Sequence, residues 1–415
     1  MGKQAIRTAI KADLNTPAWE QPQLHNRWHP DIPFSAKVAQ GEVVKVETLD
    51  WTGGQVGNND SADDIKYCDL SRIHYLSGPI EVEGAKAGDV LVVEIQDVQP
   101  RAEQPWGYCA IFDKNNGGGF LDDHYPESAK AIWDFEGIFC SSRHIPGVRF
   151  PGLIHPGIMG CKPSKELLDV WNKREAELVA YHHSIGTERT VANLPNPSYA
   201  FAGAGDETVI EAVKKEGART IPPREHGGNC DIKNLSRGSK SYFPVYVDGA
   251  GLSIGDLHFS QGDGEISFCG AIEMAGVITI KCEVIKNGMK DMKMKNPMYI
   301  PGPVEPHFGP SRYLTFEGLS VDEHGKQHYL DVNIAYKQAC LQFIEYFKKF
   351  GYSGEQLYIL LSCAPVQGHL AAIVDIPNAC TTLGVPVDIF DFECLPKEGG
   401  FKKIIESNCA LTSGN

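Results

Sequence analysis

The 415-residue sequence has no run approaching the ~20 apolar residues that cross a bilayer as a helix. Its opening stretch, MGKQAIRTAIKADLNTPAW, has basic residues but no apolar segment of the secretory kind. The expectation is a cytoplasmic protein with no membrane partner. Positive charge is short too: 39 Lys+Arg against 53 Asp+Glu leave −14, which argues against holding nucleic acid by its phosphates. The 12 cysteines never form CxxC, and Cys269, Cys282, Cys363 and Cys380 sit in apolar runs, as reduced structural thiols do. GxSxG, HExxH, Walker A and a strand-to-helix GxGxxG are all missing, so serine hydrolase, zincin, NTPase and dinucleotide readings lose their usual support.

What is present is a globular balance, 42% hydrophobic and 22% charged, with 43 Gly and 26 Pro implying many turns. β-branched runs bordered by Gly, Pro and Asp predict strands at Glu42 to Leu49, Asp89 to Val98, Tyr242 to Val247, Ile266 to Ile285 as a pair, and Arg312 to Leu319. Helices are expected at Lys165 to Tyr181 behind a Ser164 cap, at Asn333 to Lys349, and after Ser353. These are too few for α/β alternation. The fold expected is mainly β, with a β-sandwich-like core and a few peripheral helices, α+β overall. Four parts follow: 1–160, N-terminal and β-rich; 161–222, a helical and loop excursion; 223–390, a second β-rich part with the polar clusters and late helices; and 391–415, a tail. Segments 194–206 and 287–311 read as surface excursions, the second an exposed basic loop.

An internal echo directs attention to one strand. VEGAKAGDVL at 82–91 returns as VDGAGLSIGDLH at 247–258 with two extra residues, and Gly-Ala and Gly-Asp predict a β-turn-β unit whose strand starts after the Asp. His258 stands in the second copy where Leu91 stands in the first. In a strand Asp256, His258 and Ser260 share a face, and Asp-x-His puts two metal-ligand types together. Asp263, flanked by glycines, can fold back as a third ligand or serve as a general base. Turn chemistry would explain Asp263 but not His258 and Gln261 beside it.

Upstream, Glu225 to Asp231 reads EHGGNCD. Its glycines allow close backbone approach, while His226, Asn229 and Asp231 supply a base or metal ligand, an amide and a carboxylate. In RFPGLIHPGIMG at 149–160, Pro and Gly fix a stiff path past His155. Asn58 to Asp64 stacks oxygen ligands that either hold a hard cation or cap a turn, and Gly117 to Gly119 reads as a loop tip.

Three segments in order carry a resemblance: HYLSGPIEVEGAKAGDVLVVEI at 74–95, FPGLIHPGIMGCKPS at 150–164, and HGGNCDIKNLSRGSKSYFPVYVDGAGLSIGDLHFSQGDGEI at 226–266. Together they resemble the acetamidase/formamidase family from about residue 40 to about residue 390. The resemblance implies a β-rich homo-oligomer that hydrolyses short aliphatic amides, formamide foremost, to the carboxylate and ammonia, with a bound divalent metal, zinc by expectation. Joined to the residue reading, it gives His258 and Asp256, with Asp231 as third ligand, around a cation with an open position. Glu265 is then the general base and His226 the alternative, with Asn229 and Gln261 orienting the amide. His155 would line the pocket, with Phe259 and Phe268 as walls. Formamide has no hydrophobic handle, so the pocket is expected to be small, polar and closed. The expected partners are the small amide and further copies of the chain. A metal-free route with a carboxylate or Cys230 as nucleophile activated by His226, acting on acetamide or another small amide, is the rival enzyme reading. A non-catalytic β protein that binds small amides or an ion is the rival outside catalysis.

Overall fold

The β-branched runs form the strands expected of them: Val43–Thr48, Val90–Pro100, Lys240–Pro244, Phe268–Met274, Gly276–Ile285 and Tyr313–Leu319. In the computed structural model, which describes residues 6–186, 195–303 and 312–414, four of them join a six-stranded sheet. Its order is Arg7–Ile10, Val43–Thr48, Gly276–Ile285, Val90–Pro100, Lys240–Pro244, Met298–Ile300. A twelve-stranded sheet packs against it. Val44, Val46, Val93, Ile278 and Ile280 from the first sheet share one core with Ala131, Trp133, Leu252, Ile254 and Met274 from the second. The protein is therefore mainly β with few helices, and both sheets take strands from either side of the helical segment at 161–222.

Helix Lys165–Ser184 starts where expected, with the Ser164 hydroxyl accepting from the Leu167 N–H, a cap that stabilises by about 1 kcal/mol. Val332–Phe347 packs on a three-stranded sheet, and Gly354–Cys363 opens with a reciprocal Ser353–Gln356 cap. Helix Glu207–Glu216 was not expected; its signal was an Asp206 cap ahead of Val209, Ile210 and Val213. Within the supposed basic loop, Gly288–Asp291 is a short helix and Met298–Ile300 extends the six-stranded sheet, while 304–311 lie outside the described residues. No helix among the described residues is long and apolar enough to cross a membrane.

The two turns of the internal echo pack on each other. Gly88 N–H donates to Val245 O, Gly249 N–H to Ala85 O, and Lys86 pairs with Asp248 at 2.8 Å. In the first copy the strand starts after Asp89, as expected. In the second, the strand Ala250–His258 runs straight through Gly255-Asp256, and Asp256 takes a left-handed backbone at φ +56°. All nine of its residues are buried, so this strand shows no solvent face, and Asp256 and His258 meet in the interior.

Candidate active site

Strand register assembles the polar centre. Ala250–His258 lies between His155–Gly160 and Phe268–Met274, with His155 opposite His258 on one side and Glu273 opposite it on the other. The kink at Asp256 sets its Oδ1 3.2 Å from His258 Nε2, and Glu273 Oε2 stands 3.1 Å from the same nitrogen. The short strand Gly227–Asn229 delivers Asp231, and the loop after His258 delivers Glu265. Asp231 and Glu265 also have left-handed backbones, at φ +48° and +44°. Non-glycine residues held there cost about 1–3 kcal/mol each and persist where the surroundings over-determine them, as in functional sites.

The ligand-type atoms converge and satisfy one another only in part. Among the described residues His258 Nε2, Glu273 Oε2 and Asp231 Oδ1 are buried without a well-aligned hydrogen bond, and the first two face each other only as an ion-pair contact at 3.1 Å. Asp231, Asp256 and His258 each offer one atom within 4.8 Å of the others, as do His258, Glu265 and Glu273. Buried polar atoms are ordinarily well hydrogen-bonded, and incompletely paired ones gathered at one point fit a cation. One imidazole nitrogen with several carboxylate oxygens is a donor set for a divalent metal.

Electrostatics describe the same crowding. Burial pushes the carboxyls of Asp231, Glu265 and Glu273 up, and neighbouring carboxylates push them further. Burial would do the same to Asp256, but His258 overrides it and holds Asp256 low. Burial opposes a charge on His258, yet Glu273 and Asp256 beside it drive its pKa well up. Carboxyls raised in this way are groups from which a nearby divalent charge would displace protons.

Behind His258, a relay fixes its orientation. His155 Nδ1 lies 2.6 Å from Leu153 O, an acceptor only, so Nδ1 carries hydrogen. Burial holds His155 down to about 3, so the ring is neutral and Nε2 has a lone pair. His258 Nδ1 lies 3.2 Å from that nitrogen and 3.1 Å from Gln261 Oε1, and its hydrogen is shared between the two. Nε2 of His258 is then free to face the carboxylates. Gln261 in turn donates to Asp231 O at 2.5 Å.

A cavity of about 370 Å³ opens above the centre. Asp231, Asp256, Glu265 and Glu273 form its polar side, and Trp51, Leu70, Ile73, Phe112 and Phe268 its apolar side. It is wider and more apolar than the small polar pocket expected for formamide.

The sequence pattern of the Acetamidase/Formamidase family matches residues 11–392. The chain belongs to the acetamidase/formamidase family. A Schizosaccharomyces pombe protein is 69% identical over 413 residues, covering 99% of this chain and 100% of its own. A formamidase of Methylophilus methylotrophus is 56% identical over 403 residues, covering 96% of this chain and 98% of its own. The solved structure of a gamma lactamase from Delftia acidovorans has a TM-score of 0.95 and 54% identity, covering 99% of this chain and 100% of that one.

In this acetamidase/formamidase chain, Asp231, Asp256, His258 and Glu265 are brought together, and Asn229 and Phe268 line the cavity. His155 and Gln261 stand behind His258 rather than on the cavity wall. Phe259 faces the core, stacked on Phe135 at 4.0 Å, because residues alternate sides after His258. His226 is packed between Trp28 and Trp171, each 4.5 Å away, which separates it from the cavity. Burial pushes the Cys230 thiol up to about 11, so it is not a thiolate. The oxygen-rich Asn58 to Asp64 segment wraps a cation of the protein's own: Lys130 Nζ is bound by Asp64 at 2.7 Å, Asn59 Oδ1 at 3.0 Å and Gly57 O at 3.1 Å. Gly117 sits in a turn, as expected, and that turn also lines the cavity. Two site residues went unread. Glu273 showed itself as the lone acid inside the apolar FCGAIEMAGVITI, and His74 only as the start of the SGPI segment.

Proposed function

We propose that this chain hydrolyses short linear amides, formamide foremost, to the carboxylate and ammonia, using a divalent cation held by His258, Asp256, Glu273 and Asp231. The observation that carries the reading is the cluster of buried, incompletely paired ligand atoms at a cavity, in a chain 56% identical to a formamidase. A cation bound there would polarise the amide carbonyl and acidify water, and zinc suits the donor set.

Glu265 acts as the base. As the water oxygen bonds to the carbonyl carbon, the C=O π pair moves onto oxygen and the water proton passes to Glu265. The oxygen pair then re-forms C=O, the C–N bond breaks with its pair on nitrogen, and Glu265 returns the proton to that nitrogen. A carboxyl raised by burial suits both receipt and return. Asn229, on the cavity wall, orients the amide, while Gln261 and His155 hold His258. The enzyme is read as a cytoplasmic homo-oligomer. Self-association is supported by exposed apolar side chains on and after the edge strand Gln367–Ala372, among them Leu370, Val374 and Ile376.

The cavity also favours a second reading. Its volume of about 370 Å³ and apolar side take acyl groups larger than formyl, and the Delftia acidovorans relative is a gamma lactamase. Comparing kcat/KM on formamide, acetamide and 2-pyrrolidinone separates them. Formamide in front supports the first reading, and 2-pyrrolidinone in front replaces it with ring opening of a cyclic amide.

A further inference from the structure

His74 stands on the cavity wall, and its hydrogen bonds dictate which ring nitrogen is protonated. Its backbone N–H donates to Thr220 Oγ at 2.5 Å, and its Nδ1 lies 3.1 Å from the same oxygen. Thr220 is fully buried, and its hydroxyl has no other partner among the described residues. That hydroxyl hydrogen therefore goes to His74 Nδ1, since the alternative leaves a buried donor unpaired at a cost of about 1–3 kcal/mol. Nδ1 is the acceptor, and Nε2 carries the ring hydrogen. Nε2 has no hydrogen-bond partner among the described residues, so the ring presents a neutral N–H to the cavity that holds Asp256, Glu265 and Glu273.

We propose that His74 is a catalytic residue whose Nε2–H donates to the amide oxygen as it becomes an oxyanion, and that Thr220 is the positioning residue that fixes this tautomer. The inference rests on the amide-hydrolysis reading of the cavity. No proton is transferred by His74. Its hydrogen bond strengthens as the C=O pair moves onto oxygen and relaxes when the pair returns, which lowers the barrier without using up the donor. A prearranged donor to an oxyanion changes kcat by about 10²–10³.

The test compares wild type, His74→Ala, His74→Gln, Thr220→Val and Thr220→Ser for ammonia release from formamide and for bound zinc. It adds the ¹⁵N spectrum of the wild-type histidines. The expected result is a kcat about 100-fold down in His74→Ala with KM and zinc content kept. His74→Gln, which retains a donor, recovers part of the rate. Thr220→Val falls between, Thr220→Ser matches wild type, and the His74 spectrum shows Nε2 protonated. Active wild type with His74→Ala within threefold, zinc lost from His74→Ala, or an Nδ1-protonated His74 overturns this inference alone. Should His74→Ala not fold, Thr220→Val and the spectrum decide. Wild type that releases no ammonia from any amide overturns the reading of the cavity and this inference with it.

Discussion

Replacing Gly157 by Ala should empty the active centre while leaving the fold standing. Gly157 lies in strand His155–Gly160, and its carbonyl accepts from the Asp231 N–H at 3.3 Å, so its backbone faces the ligand-bearing turn. A Cβ on Gly157 would sit 2.6 Å from His258 Cε1 and 2.7 Å from both Asp231 Oδ1 and Asp256 Oδ2, where ordinary contact begins at 3.4 Å. Each group would have to move by about 0.7 Å, yet His258 is fully buried and Asp256 nearly so. Overpacking of this size costs about 1–3 kcal/mol. Metal-ligand distances tolerate only about 0.2 Å, so the centre is lost before the fold is. Elemental analysis should find little cation in Gly157→Ala, and ammonia release from formamide should fall about 100-fold or more. Gly384→Ala, whose Cβ would meet nothing closer than 3.4 Å, is the control and should match wild type. Wild-type cation content and rate in Gly157→Ala would show that no cation sits among these three side chains.

Glu273→Gln keeps the shape of a residue the sequence did not flag, and should weaken cation affinity about 10- to 100-fold, with activity partly restored by excess cation; unaltered affinity would remove Glu273 from the ligand set. Cys230→Ala should keep most activity, since its thiol is held protonated; an inactive, folded variant would return Cys230 as a nucleophile. Cation uptake by chelated protein at neutral pH should release protons, detectable with an indicator dye in weak buffer, because burial raises Glu265 and Glu273; uptake without release would contradict the charge state given for the centre. Burial lowers His25 from 6.5 to about 4. Below pH 6.5 the unfolded chain takes up a proton that the folded ring refuses until about 4. Stability of about 3 kcal/mol is therefore lost as pH falls through that window. The difference in urea midpoint between wild type and His25→Gln should follow that course, and a flat difference would disprove it.

Much of the fold could be read from local pattern. The strands carry β-branched runs, and three helices carry their own caps at Ser164, Asp331 and Ser353. Helix Glu207–Glu216 escaped because a Pro/Gly-rich stretch directly precedes its cap. At the site, spacing sufficed for Asp256 and His258, which are two residues apart in one strand. Glu273 is their neighbour only through sheet register, His258 opposite Glu273, and no local signal encodes register. His74 enters from another strand's approach, and its role depends on a hydroxyl 146 residues away. His226, Phe259 and His155 mark the opposite failure. Their residue types suit chemistry, but packing between tryptophans, stacking on Phe135 and placement behind His258 were decided by tertiary structure.

Amide hydrolysis is proposed to depend on a cation held by Asp231, Asp256, His258 and Glu273. Ammonia release from formamide, measured before chelation, after it, and after zinc is returned, tests this most directly. About one cation per chain is expected, with activity lost on its removal and regained on its return. Full activity in cation-free protein would contradict it.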